Sequence, residues 1–237
     1  MTDWDLSKED YPNARAVRET IRSFVMELSD ECSRSTIEKL AFGTVSLSDP
    51  DLELGYKSED FTRRFLVDDL LDAVNLEYRP QPTADSSNED HYPDFELSNT
   101  VIPVVGEIKP LNNVSAGEDQ IRTYLSLSSF DTPYGILTDG MEWRVYGPDR
   151  SGSGYAIQNQ IRLDNAFQMI AHDRKIISES GLSSIIRQQG VSQITDFVRT
   201  FKQEEFDDWT LISLPKTERD QYLPDDYESQ SSFEDHQ

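Results

Sequence analysis

Tyr134 to Thr138 and Met141 to Tyr146 are two β-prone stretches on either side of Asp139-Gly140, and no other feature limits the chain as much. That dipeptide signals a two-residue type I′ turn, in which both loop residues take positive φ. Met141, Trp143 and Val145 alternate with Glu142, Arg144 and Tyr146, the period of two expected for a strand with one face on a core. A sheet is therefore expected, and helical patterns on both sides of it in the chain exclude all-β and all-α architectures.

Residues 12 to 42 place Val17, Ile21, Phe24, Val25 and Leu28, then Ile37, Leu40 and Ala41, at helical spacing, with Pro12 near the start and Gly43 past the end. This predicts an N-terminal helical layer over residues 1–50, followed by a polar linker around Ser46 to Gly55. Ser58 is placed to cap a helix reaching about Val74, with Glu59 and Asp60 in its first turn and Phe61, Phe65, Leu66, Leu70 and Leu71 on its apolar face. A short strand at Leu76 to Arg79 and a polar loop from Pro80 to His91 come next. Tyr92 to Leu97 and Val101 to Lys109 read as a hairpin joined through Ser98-Asn99-Thr100, with Pro103 arguing against a perfectly central second strand. Ser115-Ala-Gly-Glu118 has the form of a capping box and opens a helix to about Ser128.

Two further helices, around Asn165 to Glu179 and Leu182 to Glu205, are expected to pack on the core as a unit over residues 160–206. Acids, Ser and Gln dominate residues 215–237 without periodicity, which predicts a disordered tail. The fold class is therefore α/β, a mixed central sheet flanked by helices, with added N- and C-terminal helices.

Composition narrows the chemistry. The single Cys32 excludes an intramolecular disulfide and a zinc knuckle, and His172 and His236 have no metal-ligand spacing. No run of 18 apolar residues exists and MTDWDLSKED lacks the features of a signal peptide, so neither membrane insertion nor export is expected and the cytoplasm is the expected location. The 45 acidic residues outnumber 22 basic ones, leaving a net charge of −23. Only seven of the basic residues are Lys and the acids run the whole length, which is what a very salty cytosol selects; a halophilic protein is expected. An ordinary acidic protein that avoids nucleic acid gives the same balance, so motifs must decide.

The motif with chemistry lies in the expected hairpin. Side chains alternate along a strand, so Glu107 and Lys109 project from one face while Ile108 points to the other. Asp94, in the preceding strand, is placed to face Glu107. Hydrolysing a phosphodiester near neutral pH needs a divalent cation, and two carboxylates with the Ile108 backbone carbonyl are the hard oxygen ligands that suit Mg²⁺ or Mn²⁺.

Pro93-Asp94, then Glu107-Ile108-Lys109 after a twelve-residue gap, resembles the signature of the PD-(D/E)xK nuclease superfamily. Gln120 and Tyr124 match the Q-x-x-x-Y element of many such nucleases, and Glu59 matches their upstream acid. Gly135 to Tyr146 is similar to the strand-turn-strand of the N-terminal nuclease domain in type I restriction R subunits and their stand-alone relatives. The resemblance covers residues 58–147 and implies a restriction-endonuclease-like core. Under it, Asp94 and Glu107 are metal ligands, Lys109 orients or activates the attacking water, Glu59 contacts metal-bound water or Lys109, and Gln120 and Tyr124 line the DNA or steady the site. The partners implied are DNA, a second copy of the chain to cut the second strand, or a partner subunit of a restriction or defence system. No G-x-x-x-x-G-K-[ST] loop is present, so a translocating restriction enzyme is not expected unless another chain supplies the motor that accompanies this domain in R subunits. Two other readings stay open: a non-catalytic nucleic-acid-binding or regulatory module on the same fold, and an acidic DNA-mimic inhibitor. Intact Asp94, Glu107 and Lys109 weigh against the first, and the even spread of acids against the second.

Overall fold

A computed structural model describes residues 7–80, 92–127, 132–149, 154–178 and 184–214, together with Phe130, Arg219 and Tyr222. The polar loop at 81–91 and, apart from Arg219 and Tyr222, the acidic tail at 215–237 lie outside the described residues. Among those described, the sheet has six strands in chain order: β1 (Tyr78–Pro80), β2 (Phe95–Leu97), β3 (Val104–Ile108), β4 (Tyr134–Thr138), β5 (Glu142–Pro148) and β6 (Tyr155–Arg162). All neighbours pair antiparallel except β3 and β4, which run parallel. A parallel pair needs a crossover, and the chain supplies it with a 3₁₀ turn (Val114–Gly117) and α5, whose range is Glu118–Ser126.

Two layers of helix cover the sheet unequally. On one face α5 closes a small cluster of Val105, Ile121, Tyr124, Leu125, Leu137 and Tyr146. The large core lies on the other face, against α1 (Tyr11–Glu31), α2 (Arg34–Ala41), α6 (Asp164–Asp173), α7 (Ser184–Phe201) and α8 (Gln203–Ser213). It also takes the helix that starts as α3 (Ser58–Thr62), passes through a π-helical segment (Arg63–Val67) and ends as α4 (Asp68–Ala73). Val17, Ile21, Phe24 and Leu28 of α1 are fully buried there, as the spacing requires. Trp143 of β5 packs edge-on against Phe197 at 5.2 Å, tying α7 to the sheet. This mixed α/β arrangement is compatible with a restriction-endonuclease-like fold. No helix among the described residues is long and apolar enough to cross a membrane.

Several local expectations are corrected. The β4–β5 turn is not type I′: Gly140 has φ +84°, but neither Asp139 nor Met141 has positive φ. The loop pair is Gly140-Met141, closed by the Asp139 N–H to the Glu142 carbonyl at 3.3 Å, and the Asp139 carboxylate accepts the Met141 and Glu142 N–H groups at 3.0 and 2.8 Å. An aspartate satisfied in this way has no need of the left-handed region. The capping box does not form: α5 starts at Glu118 without a side-chain cap, because Arg144 of β5 takes Glu118 at 2.5 Å and donates to Ser115 at 3.4 Å. Ser58 is likewise the first residue of α3, and no side chain caps that helix. The expected helix from Leu182 to Glu205 divides into α7 and α8 at Lys202, whose ψ of 130° breaks the spiral.

Gly106 fixes the β2–β3 register. It sits opposite Phe95, whose ring covers it so closely that a Cβ there would lie 2.0 Å from Phe95 Cζ. Gly106→Ala is therefore expected to cost about 2 kcal/mol, the cost of overpacking a buried site, and pairing it with Phe95→Leu should recover part of the loss. Thermal melting of both variants reads this; an unperturbed Gly106→Ala would show that the ring does not lock the register.

Candidate active site

Asp94 immediately precedes β2, and its N–H donates to the Gly106 carbonyl at 2.9 Å. Phe95 pairs with Gly106, and the Asp94 N–H reaches that same Gly106 carbonyl, so the ladder ends there with Asp94 held beside β3. The negative charge of Asp94 is felt at Glu107, which shares with Val105 the side of β3 covered by α5. Asp94 also reaches along the strand: its Oδ2 accepts the Ile108 N–H at 2.7 Å. Glu107 is 3% exposed in the central strand of the sheet.

Lys109 follows two residues later on the same face. Its N–H donates to the Thr138 carbonyl at 2.8 Å, prolonging the β3–β4 ladder, and its Nζ donates to Glu107 Oε1 at 2.5 Å. Glu59 Oε2, from the first turn of α3, lies 3.7 Å from the same nitrogen. Gly117 makes room for the lysine stem, since a Cβ there would meet Lys109 Cε at 2.9 Å and Leu137 Cδ1 at 2.4 Å. On α5 the Tyr124 hydroxyl lies 3.1 Å from Glu107 Oε2 and 3.0 Å from the Tyr92 carbonyl. A hydroxyl has one proton, so it donates to one of the two at a time.

The structure thus gathers Asp94, Glu107, Lys109, Glu59 and Tyr124. Gln120 stands apart: it is exposed on α5 and makes no hydrogen bond to these residues among those described. Two contributors carried no assigned role in the sequence. Asp60, beside Glu59, adds negative field at Asp94 and Glu59, and its signal was a second acid in the same helical turn. Gly117 acts only through a contact distant in sequence, for which no local signal exists.

Electrostatics favours a cation. Burial, reinforced by Asp94, pushes the Glu107 carboxyl up to about 7, although the hydrogen bonds from Lys109 and Tyr124 oppose the rise. Burial also raises Asp94, against the Ile108 N–H, and raises Glu59, against Lys109. Burial alone would lower the Lys109 ammonium, but Glu107, Glu59 and Asp94 together hold it above its ordinary value. It is a charged group at neutral pH, and one ammonium does not neutralise three carboxylates.

No group of three or more His, Cys, Asp or Glu side chains among the described residues is arranged to hold a metal ion. Mg²⁺ does not require one, because it is often held through one or two carboxylates, waters and substrate oxygens. The mutual disfavour of the Asp94 and Glu107 charges is what a divalent cation relieves, so the donor set fits. A separate cleft of about 270 Å³, lined in part by Asn113, Asp139, Glu142, Arg144, Arg162 and Asp164, includes none of these residues. Its charges are spent on one another: Arg144 pairs with both Glu118 and Glu142 at 2.5 Å.

Over 164 residues the chain is 21% identical to a protein of Methanocaldococcus jannaschii named "Putative type II restriction enzyme and methyltransferase". The alignment spans 67% of this chain and 13% of that much longer protein. No protein-family model matches the chain, and no solved structure matches it.

A raised carboxylate binds its proton more tightly when folded than when unfolded. Its contribution is fully present below the ordinary glutamate range and is lost as pH rises through about 7. In chelator, stability should therefore fall between about pH 4.5 and about pH 7.5, with Glu107 contributing up to about 3 kcal/mol of the drop. Glu107→Gln should flatten it, which melting curves across that range will show; an equal drop in the variant would remove Glu107 as the source.

Proposed function

We propose that this chain is a metal-dependent nuclease that hydrolyses DNA phosphodiester bonds in a restriction, defence or DNA-processing setting. The observation that carries the reading is the convergence of Asp94, Glu107 and Lys109 at the buried end of β3, with the Asp94 carboxylate accepting the Ile108 N–H at 2.7 Å and the Lys109 ammonium 2.5 Å from Glu107. The distant restriction-enzyme relative supports the same class of substrate.

Asp94, Glu107 and the Ile108 carbonyl would hold Mg²⁺ or Mn²⁺, which when bound polarises a phosphoryl oxygen and acidifies a water. Water oxygen forms a bond to phosphorus as the bond to the leaving oxygen breaks, and the water proton passes to solvent. Lys109 is held as the ammonium by its three acidic neighbours, which suits it to orient the water and offset the phosphorane charge, not to accept a proton. Glu59 fixes the lysine from the side, and Tyr124 steadies Glu107 while tying α5 to the Tyr92 carbonyl. Gln120, exposed on the same helix, would contact DNA and not steady the carboxylates. One such site cuts one strand, so concerted duplex cleavage would bring two copies together. With −23 charges to screen, activity should be highest at high KCl.

Labelled single-stranded and duplex DNA, incubated with Mg²⁺ or Mn²⁺ in high KCl, tests the reading. Cleavage should require the cation and be lost in Asp94→Ala and Glu107→Ala through weakened metal binding. Lys109→Ala should keep the metal and slow cleavage by at least about a hundredfold. DNA bound but never cut would point to a binding module instead, and cleavage undiminished in Lys109→Ala would reject its role.

A further inference from the structure

Arg63 opens the π-helical segment, one helical turn beyond Glu59, so the two side chains share a face of the helix. The π-turn, closed by the Asp68 N–H to the Arg63 carbonyl, also brings Asp68 alongside Arg63. The pairing is loose: Arg63 Nε stands 3.8 Å from Asp68 Oδ1, beyond hydrogen-bond reach, and that buried oxygen has no hydrogen-bond partner. Arg63 has five N–H donors and a side chain only 24% exposed, yet it donates no hydrogen bond among the described residues. The other cations near this end of the sheet are committed: Lys109 to Glu107 and Glu59, Arg144 to Glu118, Glu142 and Ser115, and Arg122 over the Tyr146 ring at 5.7 Å. The charge of Arg63 is felt at Asp94, where it opposes the effect of burial.

We propose that Arg63 anchors the substrate by gripping a backbone phosphate of the DNA strand beside the one that is cut. The inference rests on the nuclease reading and adds to it the group that binds the strand. A planar guanidinium matches two phosphate oxygens at once, and a phosphate there would use the donors that Asp68 leaves free. The π-turn then has a purpose, since it holds the arginine beside an acid without sealing it in an ion pair. Lys109 cannot take this part, because its ammonium is already enclosed by the site's own carboxylates.

The test measures binding of labelled single-stranded and duplex oligonucleotides by the full chain across a KCl series, in a Lys109→Ala background that slows cutting. Adding Arg63→Ala should weaken binding about tenfold or more and change the log–log salt dependence by about one phosphate contact. Arg63→Lys should recover the salt dependence but only part of the affinity, because an ammonium cannot fork. Asp68→Asn, which alters the helix but not the donor, should bind DNA at least as well as its parent. Parental affinity and salt dependence in Arg63→Ala would overturn the proposal alone, provided the wild type cuts DNA. If the wild type neither binds nor cuts DNA, the nuclease reading falls and this inference falls with it.

Discussion

Two carboxylates gathered at the buried end of a central strand constrain everything around them. Asp94, just before β2, and Glu107 in β3 lie where water is scarce, and the charge of Asp94 makes that of Glu107 harder to keep. Lys109 answers part of that cost at 2.5 Å, but it is shared with Glu59 and so leaves an excess of negative charge. A protein with no use for such a group would more cheaply fill the space with apolar side chains. The same strand reads Val104 and Val105 just before the acids, so the charged residues enter the core on a scaffold that keeps them rigid.

The rest of the fold holds that arrangement from three sides. Phe95 over Gly106 sets the register that brings Asp94 against β3. Gly117 lets the crossover turn settle on the Lys109 stem, and α5 then delivers Tyr124 to Glu107. From the far face, Thr62 accepts the Leu111 N–H at 3.1 Å, which ties the helix bearing Glu59, Asp60 and Arg63 to the chain just beyond Lys109. A shift in any of these contacts moves a charged group relative to the others, so packing and electrostatics are not separable here.

Much of this was legible in the residues. Alternation placed Glu107 and Lys109 on one face, the expected hairpin brought Asp94 beside the same strand, and helical periodicity located α1, α2 and the helix from Ser58. What escaped was set by distant contacts. β6 was not foreseen because Gln158, Asn159 and Gln160 interrupt any apolar alternation in an edge strand that is half exposed. The Ser115 capping box was a sound local pattern that lost to Arg144, a residue 29 positions away. The π-turn after Thr62 left no mark in the apolar spacing, so nothing in the sequence showed that Asp68 would come to lie alongside Arg63.

The account stands or falls on whether the carboxylate pair takes a cation. Calorimetric titration of the metal-free protein with Mn²⁺ should find one ion per chain. At about pH 6, binding should release protons, and that release should shrink by about pH 8.5, because Glu107 gives up its proton near 7. Asp94→Asn and Glu107→Gln should each abolish or strongly weaken the binding. Absence of binding in the wild type, or binding that both substitutions leave intact, would contradict the account.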